Sequence, residues 1–570
     1  MEKEDQNILK SGPMLNAYPD SMGGTLGDIV SLLQEPEFEG AFQAFYILPS
    51  VFNTDLDRGF SVIDYELNKI YASKEDLHAL KEMKVALKFD FILNHSSVLS
   101  MQFQDIIKNG ENSKYKDFFI NWNKFWEGHG DMTPEGFIQP GEELIKHMFF
   151  RKPGLPILMV RMPDGKQVPY WNTFYQEVKY HQVRTQELMK KINLQYTSAE
   201  KLAELINQAI DAGTKPNEIN YEGFVQYKDE VIELLEANRE YLGQMDLNIK
   251  SPLVWEFYED TLKRLKQYGA EIVRLDAFAY APKEPGEKNF LNDPGTWDLL
   301  GKIKKLSDLY GLTLLPEIHA KYEEKIHEKL AAEGYMTYDF FLPGLIIDAL
   351  ERNSSEYLIR WINEIQEKNI KVVNMLGCHD GIPLLDLKGL IPEEQIDYLI
   401  KTVVDRGGYV KDLHGKKNMY YQVNATYYSA LGEDDRKLLL SRAMQIFMPG
   451  KPQVWYLDLM AGKNDHEAVK RAGANGHKEI NRTNLTTEQV REGLKTEIVR
   501  KQLELLKFRN NFPAFGLEAG LQILPSQEHM LILHWENNGY YAKLEADFKN
   551  FGYSIIAGNE KEEIVYQFKN

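Results

Sequence analysis

The chain of 570 residues is 43% hydrophobic and 27% charged, and its 85 acidic against 67 basic residues give a formal net charge of −18. That length exceeds one ordinary compact domain but suits an α/β barrel of over ~250 residues with excursions. The composition excludes disorder, the acidic balance excludes a nucleic-acid partner, whose phosphates need a basic face, and the single cysteine, Cys378, excludes an internal disulfide and a Cys-based zinc site.

The charged opening MEKEDQNILK carries no apolar stretch. No later segment approaches the ~18 apolar residues of a membrane span, so no membrane partner and a reducing cytoplasm are expected. Short apolar runs then recur at 13–18, 41–48, 85–93, 271–275, 312–317 and 371–376. Each is strand-sized and is followed by turn residues and a helical pattern, the rhythm of βα units around a parallel sheet. Polar residues stand just past the ends of these runs: Asp20, Asn94 and His95, Asp276, Glu317 and His319, and His379 and Asp380. In a closed barrel such ends converge on one mouth, whereas in an open sheet they spread along an edge. The expected fold is α/β, a (β/α)8 TIM barrel with inserted subdomains and a small C-terminal antiparallel β domain.

The barrel is expected in three parts, 1–95, 251–380 and 435–515. The segment 96–250 is too long for a βα connection and must carry its own structure. Within it Thr197, three residues before Glu200, reads as a capping box, followed at helical spacing by Leu202, Leu205, Ile206, Ala209 and Ile210. Phe224, Tyr227, Val231, Leu234 and Leu235 share one face of a second helix, which predicts a helical hairpin at about 176–242 joined by the loop 213–217. A second inserted loop domain is expected at 381–434, rich in Gly, Lys and Tyr, and the short alternating runs of 516–570 predict the β domain.

Four strand ends carry the chemistry: Asp90 to His95, Val273-Arg274-Leu275-Asp276-Ala277, Leu315-Pro316-Glu317-Ile318-His319 and Gly377-Cys378-His379-Asp380-Gly381. Taken alone, Asp276 is explained by a helix cap, Glu317 by a surface carboxylate and His95 by a satisfied core histidine. Four ends of one barrel bearing carboxylates or imidazoles are not. Retaining cleavage of a glycosidic bond needs two carboxyl groups about 5–5.5 Å apart, and adjacent barrel strands lie ~4.8 Å apart. Asp276 then serves as nucleophile and Glu317 as acid and later base. Asp380 binds sugar hydroxyls and stabilises the cationic transition state, with His95 and His379 as hydrogen-bonding partners.

RLDA at 274–277, the Glu of LPEIH, HD at 379–380 and D-x-x-x-NH at 90–95 resemble the four signature regions of the α-amylase clan, in the right order. The resemblance implies the same triad, with Arg274 touching the nucleophile. DRGFSVIDY at 57–65, YKDFFINWNKFW at 115–126, YYQVNATYYSALG at 420–432, PGKPQVWYLDLMAGKND at 449–465 and EINR at 479–482 resemble the sucrose phosphorylase group more narrowly. For that group the resemblance implies that Asp57 and Arg482 hold the far edge of glucose, that Phe60 and Tyr280 line its pocket, and that Gln422 touches the reacting region, with His319 a further candidate substrate contact. It implies phosphate as the entering nucleophile, contacted by the loop carrying Arg151 and Lys152, and α-glucose 1-phosphate as product.

The acceptor side departs from the group. Asn418-Met419-Tyr420 stands where the group carries a Leu-Asp pair, so the leaving group stays open: fructose of sucrose, fructose 6-phosphate of sucrose 6′-phosphate, glycerol or glycerate. An α-glucosidase or transglucosidase would use the same carboxylates with water or a sugar as acceptor. The expected partners are a small sugar donor and inorganic phosphate. No metal constellation and no cofactor are expected. Three roles are open to the helical insertion: covering the acceptor site, building a homodimer interface, or a solvated excursion.

Overall fold

The computed structural model describes residues 11–151, 154–410, 422–559, 561 and 564–569. Eight strands form one sheet: β1 (Met14–Ala17), β2 (Ala44–Ile47), β3 (Ala86–Ile92), β4 (Ala270–Asp276), β5 (Thr313–Pro316), β6 (Thr337–Asp339), β7 (Val372–Met375) and β8 (Lys451–Trp455). They run in the order β5-β4-β3-β2-β1-β8-β7-β6 with every pairing parallel. β5 and β6, the two ends of that order, lie against each other, so the sheet curls into a near-barrel. Five of the six apolar runs are β1 to β5 and the sixth is β7; β6 and β8 have no counterpart among them.

Local signals set where helices begin. Thr25 and Asp28 form a reciprocal capping box that starts Leu26–Leu33, and Ser73 with Asp76 does the same for Lys74–Glu82; each satisfies two otherwise orphaned amides. Pro252 opens Pro252–Gln267, where its missing N–H costs nothing. These helices follow β1, β2 and β3, and Gly295–Leu309 follows β4.

The chain forms two compact units, one of them His95–Lys146 with Phe150–Asn248 and the other the remaining described residues. The second holds the barrel and a C-terminal antiparallel sheet of five strands: Gly520–Leu524, Met530–Asn537, Tyr540–Asp547, Gly552–Asn559 and Ile564–Lys569. Leu531, Leu533 and Trp535 alternate inward, and the Trp535 indole donates to Phe447 O at 2.8 Å. The stretch 381–434 clusters with the barrel rather than apart from it. Its described part contains the helix Glu393–Asp405 and short elements at Leu384–Leu387, Tyr409–Val410, Val423–Asn424 and Tyr427–Ala430.

The inserted unit is built on Trp122, Trp126 and Trp171, all buried and in ring contact. Its sheet pairs Gln176–Lys179 and His95–Ser97 with the central strand Glu240–Asp246. Between these strands lie three helices, Thr185–Lys191, Tyr196–Asp211 and Lys228–Ala237, where the sequence predicts two. Leu188, Leu202, Ile206, Val231 and Leu235 form their shared core. The capping box at Thr197 is not formed: the N-cap is Gln195, in extended backbone, with no side-chain cap bond. Thr197 therefore lies inside the first turn.

Candidate active site

Arg274 and Asp276 stand two residues apart on β4 and so share its inner face. Strand register sets Arg274 beside Asp90 of β3. The buried guanidinium donates Nη1 to Asp276 at 2.8 Å and to Asp90, and Nη2 lies 2.7 Å from Glu317, the first residue past β5. Asp90 also accepts the Tyr46 hydroxyl at 2.8 Å. Beneath, Lys88 donates to Tyr338 Oη at 2.5 Å and Gln453 Oε1 at 2.7 Å, its ammonium 3.8 Å from the centre of the Tyr46 ring. Ala277, directly after Asp276, takes left-handed backbone (φ 52°) that ends the strand and turns it into Phe278–Tyr280. Strain of this kind in a non-glycine residue persists only where the surroundings over-determine it.

Burial pushes Asp276 up to about 8, against the pull of Arg274. Glu317 is desolvated too, but Arg274 and His319 outweigh that and bring it down to about 2. The two carboxyl groups are coupled, with burial raising Asp276 while Arg274 and His319 lower Glu317. His319 Nε2 lies 3.4 Å from Glu317 and Nδ1 lies 2.9 Å from Asp386. Burial lowers the imidazole, yet Asp386 and Glu317 together raise it to about 10. Gln422 Nε2 is 3.2 Å from His319 Nε2.

A second group adjoins the first. The Phe60 ring stacks on His379 at 4.9 Å and lies 5.5 Å from the Arg274 guanidinium. His379 Nε2 is 3.2 Å from Asp380, which Lys478 approaches to 2.7 Å. Arg482 Nε donates to His379 O at 2.9 Å, and its Nη atoms lie 3.6 Å from Asp57 and from Asp380. Burial pushes Asp380 up, but His379, Lys478 and Arg482 prevail and hold the carboxyl well below the usual range. Asp57 and Arg58 both have left-handed backbone, φ 46° and 51°. Gly59 (φ 121°) lets that turn close, since a Cβ there would meet Ser50 N at 2.3 Å. Arg58 ties the turn to Arg482 O and Asn484 and lies 4.4 Å over the Tyr18 ring.

The fold thus gathers Asp57, Phe60, Arg274, Asp276, Glu317, His319, His379, Asp380, Gln422 and Arg482 of the sequence-derived set. Tyr280 is buried in the turn after Asp276, its ring 4.6 Å from Phe290. His95 and Arg151 belong to the inserted unit, where the imidazole and the guanidinium each lie 4.9 Å from the Phe174 ring. Lys152 and Asn418-Met419-Tyr420 lie outside the described residues. The sequence reading missed Arg58, Lys478 and Asp386. Arg58 is the second residue of DRGF and Lys478 directly precedes EINR, motifs already singled out, and that placement is the one signal for them.

Among the described residues, His327, Glu328 and Glu364 come close enough to hold a metal ion. Two ammonium groups already occupy that place: Lys368 is 2.7 Å from Glu328 and 3.1 Å from Glu364, and Lys325 is 3.0 and 3.5 Å from the same pair. The donor set does not fit a metal cation in addition to these two.

No protein-family model matches the chain. It is 50% identical over 556 residues to a sucrose 6(F)-phosphate phosphorylase of Ilumatobacter coccineus, covering 96% of each chain. It is 29% identical over 556 residues to a sucrose phosphorylase of Streptococcus mutans, covering 96% of this chain and 98% of that one. The crystal structure of sucrose 6F-phosphate phosphorylase from Thermoanaerobacter thermosaccharolyticum matches with a TM-score of 0.80 at 30% identity, over 99% of this chain and 98% of that one. The chain belongs to the sucrose phosphorylase family, the disaccharide phosphorylases built on the α-amylase-type barrel.

Proposed function

We propose that this enzyme transfers the glucosyl unit of sucrose 6F-phosphate to inorganic phosphate with retention, giving α-glucose 1-phosphate and fructose 6-phosphate. The carrying observation is the relative of that name at 50% identity along 96% of both chains. The geometry around Arg274 is consistent with the chemistry. Asp276 attacks the anomeric carbon as Glu317 protonates the glycosidic oxygen, and phosphate then attacks the glucosyl ester from the vacated face while Glu317 accepts its proton.

That sequence needs a protonated Glu317 and an ionised Asp276, against the directions in which Arg274 and His319 pull Glu317 down and burial pushes Asp276 up. A bound donor supplies the reversal. Its glycosidic oxygen is an acceptor that favours the protonated form of Glu317, and positive charge growing at the anomeric carbon favours ionised Asp276. In this reading Asp380, Asp57, Arg482 and His379 hold glucose hydroxyls, Phe60 and Tyr280 wall the sugar, and His319, Gln422 and His95 contact it near the reacting bond. Arg151 and Lys152 are assigned to phosphate on the family resemblance alone. The reading includes a cytoplasmic enzyme, in line with its single cysteine, and a homodimer testable by sedimentation.

The deciding experiment supplies sucrose 6F-phosphate or sucrose, each with and without inorganic phosphate, and measures glucose 1-phosphate against free glucose. Phosphate-dependent glucose 1-phosphate, with the phosphorylated donor preferred, is the expected result. Preference for sucrose would reassign the leaving group, as the Streptococcus relative suggests. Free glucose alone in excess phosphate would replace phosphorolysis by hydrolysis.

A further inference from the structure

Asp386 touches no position a sugar is assigned to, yet its carboxylate is buried in the one-turn helix Leu384–Leu387 and aimed at His319. A carboxylate only accepts hydrogen bonds, so His319 Nδ1 must donate to it across 2.9 Å. The proton on Nε2 is then the one variable of the ring. Neutral His319 accepts at Nε2 from a protonated Glu317 and from the Gln422 amide N–H. As imidazolium it donates to ionised Glu317, and Gln422 meets it through its carbonyl after an amide flip. In either arrangement Glu317 and Gln422 share the one lone pair or the one N–H of Nε2, so one proton can sit on either side of the 3.4 Å gap between Nε2 and Glu317. Catalytic hydrogen bonds of this length commonly tighten in the substrate complex.

We propose that Asp386 and His319 form a proton-holding dyad, in which Asp386 fixes the imidazole and His319 Nε2 passes a proton to Glu317 and takes it back in each turnover. The proposal rests on Glu317 as the acid and base. When a donor is cleaved, the His319 Nε2–H bond breaks, its electron pair stays on nitrogen, and a Glu317 O–H bond forms. That bond breaks in turn as the glycosidic oxygen takes the proton. In the second half a phosphate hydroxyl yields its proton to Glu317, which returns it to Nε2, so no proton is gained or lost by the enzyme. The dyad answers a need the site creates: Arg274, 2.7 Å from Glu317, holds that carboxylate ionised, so an adjacent proton source is what makes it an acid.

The groups facing His319 include Glu317 on its own segment, Asp386, Gln422 and the Phe340 ring, stacked at 3.9 Å. Arg274 and Asp380 act on it through Glu317, and Glu324 acts on Asp386. Burial opposes the imidazolium while the two adjoining carboxylates favour it, and the balance lies with the proton, near 10. Asp386 is thus a positioning residue and His319 the group that moves the proton.

The test compares wild type, Asp386→Asn and His319→Gln in kcat/KM for sucrose 6F-phosphate between pH 7 and 10, where the donor's phosphate is already a dianion (pKa about 6). α-Glucosyl fluoride, whose leaving group needs no proton, is the parallel donor. Loss of the Asp386 charge moves the alkaline limb for the glycoside to lower pH by about one unit or more. His319→Gln loses kcat/KM for the glycoside about 10²-fold or more. Asp386→Asn stays within about fivefold of wild type on the fluoride, which also shows that it folds, and His319→Gln loses at least about tenfold less on the fluoride than on the glycoside. If Asp386→Asn misfolds, the His319→Gln comparison decides alone. A wild-type limb in Asp386→Asn, or equal losses on both donors in His319→Gln, overturns the dyad. Glu317→Gln separates the two levels: if it too loses both donors equally, the acid and base assignment fails first and takes the dyad with it.

Discussion

Asp276 and Glu317 lie across a single guanidinium, with Arg274 Nη1 2.8 Å from the first and Nη2 2.7 Å from the second. The spacing of two carboxyl groups decides between retention and inversion, and here a rigid planar fork sets it. The same fork makes the pair compete for one cation and so for one proton.

Asp276→Asn removes the proposed nucleophile with almost no change of shape. Turnover of sucrose 6F-phosphate falls on the order of 10⁴-fold or more, with the thermal midpoint near that of wild type. Rapid-quench mass spectrometry finds no glucosyl-enzyme. A variant verified by intact mass that still turns over at wild-type rate would falsify the nucleophile assignment.

Arg274→Lys keeps the charge and loses the fork. A single ammonium cannot span both carboxyl groups and Asp90, so kcat/KM falls about 10²- to 10³-fold for the glycoside and for α-glucosyl fluoride alike. The thermal midpoint falls as well, because buried Asp90 loses part of its hydrogen bonding. Retained activity on the fluoride would limit Arg274 to tuning Glu317.

The parts legible in sequence were those where one physical signal dominates. β3 and β4 are mostly apolar because both faces are covered, and the buried charges within them, Lys88, Asp90 and Arg274, together with their polar ends, stand out. β8 was not legible as a strand because its first three residues, Lys451-Pro452-Gln453, are polar or lack an amide proton. They are buried only because Lys451 reaches Gly12 O at 2.8 Å and Gln453 accepts from Lys88 at 2.7 Å, partners more than 300 residues away. β6 has three residues, too few for a period. Lys478 and Asp386 escaped for a related reason: a lone Lys or Asp in a polar segment ordinarily belongs to the surface, and only folding sets them against Asp380 and His319.

Leu202→Ala tests the inserted helices. Leu202 is fully buried in the core they share with Ile206, Val231 and Leu235, so truncation costs about 2–5 kcal/mol of that unit's stability. Hydrogen exchange should rise across 185–237 while amides of β1 to β8 keep their protection. Uniform acceleration over the whole chain would mean that the two units unfold as one.

Lys478→Met tests the electrostatics of the sugar-holding side. Lys478 Nζ is 2.7 Å from Asp380 and 3.9 Å from Asp57, and Arg482 reaches the same two carboxylates at 3.6 Å. Two cations facing two carboxylates keep Asp380 ionised far below its ordinary range. The sign follows from that depression: whatever depends on ionised Asp380 is present above its pKa and is lost as pH falls through it. Removing Lys478 raises the affinity of Asp380 for a proton, so the Asp380 carboxyl carbon, followed by NMR, titrates about one unit higher. Carboxyl NMR is the readout because the acid limb of kcat/KM belongs first to Asp276, which burial raises while Asp380 is held low. Lys478→Arg should restore the wild-type titration, since it returns the charge. A Met variant with a raised KM but an unmoved Asp380 titration would show that Lys478 contacts the sugar without setting the charge state of Asp380.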